Sequence, residues 1–215
     1  GTDTLDTSGF SVNQFIDLRA GYFSNIGGEI GNIGIAFGSV IERATGGSGD
    51  DVIMGNNSAN DLYGFAGDDV LIGHTGNDYL HGGVGYDTAR LMYETRAAFS
   101  LQRQTDGSIA STGANDGSDL FVEIERLDFN DVNMSTRPYF DFSGDFEADL
   151  LLRDTNSGAV TSWNLNNGAF VSSTQIGGMG SNIQIVGSGD FNADGFSDLL
   201  LRDLTSGAIS DWTVR

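Results

Sequence analysis

Asp51, Asn60, Asp69, Asp78 and Asp87 recur at nine-residue intervals, each the sixth residue of a block that opens on glycine: Gly46, Gly55, Gly64, Gly73 and Gly82. The blocks read GGSGDDVIM, GNNSANDLY, GFAGDDVLI, GHTGNDYLH and GGVGYDTAR. A lone Gly-x-Asp is an ordinary turn closed by an Asx hydrogen bond; five in register form a structural repeat. Their chemistry is that of hard oxygen donors, carboxylates beside backbone carbonyls, which suits Ca²⁺ and its six to eight ligands. The candidate ligands come from the first, third, fifth and sixth positions. They are Gly46, Ser48, Asp50 and Asp51; Gly55, Asn57 and Asn60; Gly64, Ala66, Asp68 and Asp69; Gly73, Thr75, Asn77 and Asp78; and Gly82, Val84 and Asp87.

Such ligands need turns held in register. Glycine permits the positive φ of a tight turn, so the first six residues of a block turn and the last three form a short strand. The eighth residues (Ile53, Leu62, Leu71, Leu80, Ala89) point inward, because strand side chains alternate between faces. Two blocks make one coil of a parallel β-roll, and like turns then stack every 18 residues. Asp51 pairs with Asp69, Asn60 with Asp78, and Asp69 with Asp87. The pair containing Asn60 has one charge fewer and is expected to bind more weakly.

Residues 1–45 read as degenerate lead-in coils, with Glu42 at the sixth position of the block before Gly46. Residues 91–136 lose the repeat. Their runs Ala98 to Leu101 and Leu120 to Ile124 predict antiparallel strands closing the roll's open edge, separated by a turn-rich stretch from Thr112 to Ser118. At most one helical turn is expected, within Val122 to Phe129. Residues 1–136 thus form one domain, with 46–90 as its regular part.

Pro138 marks the next boundary, and 138–215 carries a second repeat. Asp141 to Asp154 returns 49 residues later as Asp190 to Asp203, and Trp163 as Trp212. Long repeats built of strands suggest propeller-like blades, with the Leu triplets as buried strands and Ala159, Thr161, Trp163 and Leu165 on one apolar face. Each copy opens with calcium-loop spacing. Asp190, Asn192, Asp194 and Asp198 take loop positions 1, 3, 5 and 9, with Phe196 offering a carbonyl and Gly195 making the sharp turn. The first copy has Asp141, Ser143, Asp145 and Asp149, but Phe146 replaces the glycine. A bulky residue resists φ > 0, so the first loop is expected to be weaker or empty.

The chain has 30 acidic and 10 basic residues, net charge −20, 32 Gly, one Pro and no Cys. Such acidity repels nucleic-acid phosphates and demands cations. Low apolar content limits the core, and each cation site held at about ten times its Kd adds ~1.4 kcal/mol. No disulfide is possible, and no apolar run reaches membrane-span length. No H-E-x-x-H is present, and the histidines, His74 and His81, read as exposed repeat substitutions. No catalytic constellation can be assembled. Gly1 to Asp6 fits the second half of a block, which predicts a fragment of a longer protein.

The nonapeptides are those of calcium-binding RTX proteins. With the stretches Asp3-Thr-Leu-Asp, Ile16-Asp-Leu and Val40-Ile-Glu, residues 1–90 resemble the C-terminal region of serralysin-type metalloproteases. Residues 138–215 are similar to FG-GAP/VCBS repeats. The resemblance implies an all-β chain: a parallel β-roll, then two blade-like repeats. It implies a non-catalytic calcium module of a secreted bacterial protein exported by type I secretion, with a catalytic domain upstream. About three to six Ca²⁺ are expected. The alternative is an extracellular adhesion, carbohydrate-binding or self-assembling module, associated with the cell surface.

Overall fold

The computed structural model describes residues 1–93, 95–136, 140–166, 168–192 and 194–214. The boundary expected at Pro138 lies outside the described residues. Contacts divide the chain into two compact units, residues 1–104 with 108–136, and residues 105–107 with the stretch beyond 136.

In the first unit β1 (Thr4–Asp6) and β2 (Phe15–Asp17) make one lead-in coil, followed by a small hairpin of β3 (Phe23–Ser24) and β4 (Ile33–Gly34). The repeat then supplies β5 (Arg43–Thr45), β6 (Val52–Met54), β7 (Asp61–Ala66), β8 (Val70–Ile72), β9 (Tyr79–Val84) and β10 (Thr88–Leu91). Alternate strands fall in alternate sheets. Arg43 aligns with Asp61 and Asp61 with Tyr79 in one, and Val52 with Val70 and Val70 with Thr88 in the other, all parallel. This is the 18-residue coil of a parallel β-roll. Between the sheets lies a single-file core. Ala44, Leu62, Leu80 and Phe121 come from one side, and Ile16, Ile53, Leu71, Ala89 and Leu127 from the other, none more than 2% exposed.

The lead-in is a single coil rather than several. Ile30 and Phe37, within the stretch read as lead-in coils, are almost fully exposed on the excursion between β2 and β5.

The closing region has β11 (Ser100–Arg103), β12 (Ile109–Thr112), β13 (Leu120–Val122), β14 (Arg126–Phe129) and β15 (Asn133–Ser135). Antiparallel closing strands are present, β11 on β12, β12 on β13, and β15 on β14. Yet β13 and β14 also pair in parallel with β9 and β10, adding one more coil to the roll. Asp119-Leu-Phe and Glu125-Arg-Leu keep the acid-x-apolar order of a block, and inward burial of Phe121 and Leu127 fixes that register. No helix forms at Val122 to Phe129; the one helical turn among the described residues is a 3₁₀ turn at Arg96–Ala98.

The second unit has two three-stranded antiparallel sheets, β16 (Leu150–Arg153), β17 (Ala159–Asn166) and β18 (Ala169–Gly178), then β19 (Ile183–Gly189), β20 (Asp198–Asp203) and β21 (Ile209–Trp212). Its core gathers Phe142, Val160, Leu199 and Val214, with Leu151, Ile176, Leu201 and Trp212 against them. Repeat-equivalent residues are therefore buried reciprocally. Leu150 is 47% exposed and Leu199 is 0%; Val160 is 0% and Ile209 is 57%. The first sheet buries its Leu151/Val160 face and the second its Leu199/Leu201/Trp212 face, as consecutive blades stack front to back. The expected apolar face of Trp163 is thus the outer one, and the first Leu triplet is only partly buried. Equivalent truncations should differ in cost. Leu199→Ala should destabilise by about 2–5 kcal/mol and Leu150→Ala by less than about 1 kcal/mol, read as urea midpoints of the second unit.

Candidate metal centres

Asp69, Asp78 and Asp87 each accept a hydrogen bond from the backbone N–H of the sixth-position residue one coil below, whereas Asn60 Oδ1 accepts from Asn56 N–H within its own block. Asp51 N–H donates to Asp69 Oδ1 (2.7 Å), Asp69 N–H to Asp87 Oδ1 (2.8 Å) and Asn60 N–H to Asp78 Oδ1 (2.8 Å). The three expected pairs are therefore stacked neighbours. Both ladders run beyond the repeat. Gln14 N–H donates to Asp51, Asp78 N–H to Asp119, Asp87 N–H to Glu125, and Asp3 N–H to Glu42.

The remaining oxygens turn toward the opening glycine of their own block. A Cβ on Gly55 would lie 2.5 Å from Asn60 Oδ1 and 2.7 Å from the carbonyl of Gly73, and one on Gly46 or Gly64 would lie 2.7 Å from the carbonyl of Gly64 or Gly82. Only glycine leaves this space between stacked turns open, and carbonyls of the first position line it. The fourth-position glycines Gly67, Gly76 and Gly85, at φ 118°, 141° and 156°, let each turn sit directly on the one below.

The other candidates fall into two groups. The carbonyl of Val84, in third position, already accepts from Gly67 N–H. Ser48 is anchored by its N–H to the carbonyl of Phe10, and Ala66 by its N–H to that of Gly47. Asn57 lines a surface cleft with Leu18 and Arg19, and Thr75 is half-buried. The fifth-position side chains point outward and form a second ladder: Asp68 N–H donates to Asp50 Oδ1, Tyr86 N–H to Asp68 Oδ1, and Ser118 N–H to Asn77 Oδ1. There the side chain serves stacking.

Asp69 Oδ2, Asp78 Oδ2 and Asp87 Oδ2 are buried with no hydrogen-bond partner. A buried carboxylate oxygen without a partner is costly. Burial pushes the Asp69 carboxyl up to about 7 and those of Asp78 and Asp87 up to about 6, against the backbone amides that favour the charged form. Burial raises Asp51 and, to about 7, Asp119. A hard cation between stacked turns would satisfy these oxygens and neutralise the charge, so the residues fit calcium. Among the described residues no three His, Cys, Asp or Glu side chains converge on a point suited to a metal ion. Backbone carbonyls would supply most ligands of such an ion. At Asn60 the amide already does part of this work, its Nδ2 donating to the carbonyls of Ile41 (3.2 Å) and Glu42 (3.3 Å).

In the second unit the loops are preformed. Asp190 accepts from Asp194 N–H (3.0 Å) and Gly195 N–H (2.9 Å), and Asn192 and Asp194 are joined side chain to side chain. Asp141 accepts from Gly144 N–H and Phe146 N–H, Ser143 lies beside it, and Asp145 accepts from Glu147 N–H. Phe146 stands at φ 71°, against 85° for Gly195. Phenylalanine adopts here the positive φ that its side chain resists, with the ring buried to 7% exposure. Phe196 is half-buried, its N–H on Asp194. The ninth-position carboxylates act as clamps. Asp149 accepts from Phe142, Ser143 and Leu165 N–H, and Asp198 from Phe191 and Val214 N–H.

Neither histidine is exposed. His74 is 7% exposed, at φ 69° with Nδ1 2.7 Å from the Tyr93 hydroxyl, whereas His81 is half-buried and pairs with Glu123. Sequence reasoning missed Asp119 and Glu125 as ladder members. Their signal was the acid-x-apolar order, stripped of most of its glycines.

Residues 1–162 match the family Peptidase M10 serralysin C terminal, and residues 141–201 the FG-GAP-like repeat. The chain is 57% identical over 60 residues to metallopeptidase AprA of Pseudomonas marginalis, covering 28% of this chain and 13% of that protein. It is 53% identical over 62 residues to serralysin of Photorhabdus laumondii and 55% identical over 62 residues to serralysin G of Dickeya chrysanthemi, each time 29% of this chain and 13% of the relative. The matched stretch is thus a small part of the curated relatives. With the family match over most of its length and the stacked nonapeptide turns that form its roll, this chain belongs to the serralysin C-terminal family of the M10 peptidases.

Proposed function

We propose that this chain is a non-catalytic calcium-binding module of a secreted bacterial protein, carried downstream of a catalytic domain and folding as calcium fills its turns outside the cell. The buried, unpartnered Oδ2 atoms of Asp69, Asp78 and Asp87, facing carbonyl-lined gaps, support this reading most directly. In low calcium these carboxylates repel one another and the roll is costly to close. In high calcium the ions bind the folded chain only, and folding follows by mass action. The ions would lie between the turns of 46–51, 64–69 and 82–87 on one edge and of 55–60 and 73–78 on the other. The loops Asp190–Asp198 and Asp141–Asp149 are proposed as further sites, Asp198 and Asp149 already serving backbone amides. No helix among the described residues is long and apolar enough to cross a membrane.

Calcium titration of the chelator-stripped chain should raise its far-UV β signal and show uptake of about three to six ions by calorimetry; an unchanged spectrum with no heat at millimolar calcium contradicts the proposal. A second outcome follows from the raised carboxyls. Their folded pKa values lie above the ordinary Asp value near 3.9, so without metal the folded state holds more protons than the unfolded one between about pH 4 and 7. Stability then falls as pH rises through that window. Asp6, Asp154 and Asp203, lowered by backbone hydrogen bonds, oppose this with smaller shifts. In chelator the urea midpoint should be higher at pH 5 than at pH 8, and calcium should remove that difference; a higher midpoint at pH 8 in chelator counts against it.

A further inference from the structure

We propose that residues 114–119 are a sixth calcium-binding turn, completing with the turn of 73–78 a site that the nine-residue pattern conceals. The inference rests on the calcium reading of the roll and extends it to a segment outside the repeat.

Like turns in the regular roll are joined by a fixed set of contacts. Between 64–69 and 82–87, Gly67 N–H donates to the Val84 carbonyl (3.0 Å), Tyr86 N–H to Asp68 Oδ1 (2.9 Å), Asp69 N–H to Asp87 Oδ1 (2.8 Å) and Thr88 N–H to the Asp69 carbonyl (2.8 Å). The same four contacts recur between 73–78 and a segment that follows after 41 residues instead of 18. Gly76 N–H donates to the Asp116 carbonyl (2.9 Å), Ser118 N–H to Asn77 Oδ1 (3.0 Å), Asp78 N–H to Asp119 Oδ1 (3.0 Å) and Leu120 N–H to the Asp78 carbonyl (2.8 Å). Gly117, at φ 100°, stands over the carbonyl of Gly76 as Gly85 stands over that of Gly67. Leu120 then opens β13, and Phe121 enters the core opposite Leu80. The hairpin of β11 and β12 is an insertion that displaces this turn in sequence and leaves it in place in space.

The turn also carries its own acids. Asp119 takes the sixth position and is 5% exposed; Asp116 takes the third and is 1% exposed. Third positions elsewhere are Ser48, Asn57, Ala66, Thr75 and Val84, so this turn brings a carboxylate that no regular block has. The charge of Asp116 acts on both Asp78 and Asp119, and that of Asp78 on Asp119. Asp78, 3% exposed, keeps Oδ2 buried and without a hydrogen-bond partner in the turn below. Carbonyls of the two turns would complete a hard-oxygen shell. Arg90 lines the same small cavity as Asp116 and Asp119 and is the competing source of positive charge.

The test is the number of calcium ions carried by the whole chain in native mass spectrometry, with Asp119→Asn and Asp116→Asn as variants. Asparagine at 119 keeps an oxygen for the Asp78 N–H and so preserves the stacking. The expected result is one ion fewer in each variant, with the far-UV spectrum in calcium unchanged. Hydrogen exchange provides a second readout. Calcium should slow exchange across 113–122 in the parent chain and fail to do so in the variants. Equal ion counts in parent and variants, or exchange at 113–122 that ignores calcium, overturn the sixth site and leave the roll reading standing; Arg90 is then the counter-charge. A parent chain that takes up no calcium overturns both.

Discussion

The roll depends on a row of buried carboxylates that its own hydrogen bonds only half satisfy. One oxygen of Asp69, Asp78 and Asp87 receives a backbone N–H from the coil below, which fixes the 18-residue stacking. The other is shut away from water among carbonyls. Burial first, and then the charges of neighbouring carboxylates, push Asp69 up to about 7 and Asp78 and Asp87 up to about 6. Stacking turns and repelling charges are thus two aspects of one geometry, which a divalent cation would reconcile. The thin single-file core and the proposed use of an external ion belong together for the same reason. Two blocks per coil leave space for one inward side chain per strand, so apolar burial is limited.

Asn60 illustrates the constraint by exception. Replacing the carboxylate with an amide removes one charge and supplies an N–H group that reaches two carbonyls of the preceding turn. Asn60 Oδ1 accepts from Asn56 N–H at 2.7 Å, so that turn is closed by the protein itself. The acids on either side of it in the sequence, Asp51 and Asp69, belong to the opposite edge, where the carboxylates follow one another without interruption.

The regular coils were legible because glycine, acid and inward apolar residue each have a fixed place in the block, and the observed register follows that order. Legibility failed where one of the three was lost. Asp119 and Glu125 kept the acid and the apolar residue but not the opening glycine, and an inserted hairpin broke the count. Parallel pairing of β13 and β14 therefore went unseen. In the second unit the 49-residue repeat located both loops, but it could not say which face of each sheet meets the other. Identical residues take opposite environments there because stacked sheets use opposite faces. Phe146 takes a positive φ against its local backbone preference, with its ring buried.

Whether cations lie between turns 18 residues apart is decided by a crystal structure grown in calcium, with anomalous scattering recorded. Peaks should appear in the gaps bounded by Gly64, Asp69, Gly82 and Asp87, with Asp69 Oδ2 and Asp87 Oδ2 turned onto the ion. Gaps that hold only water, with hydrogen-bonded carboxyl groups and no anomalous signal at millimolar calcium, would contradict it.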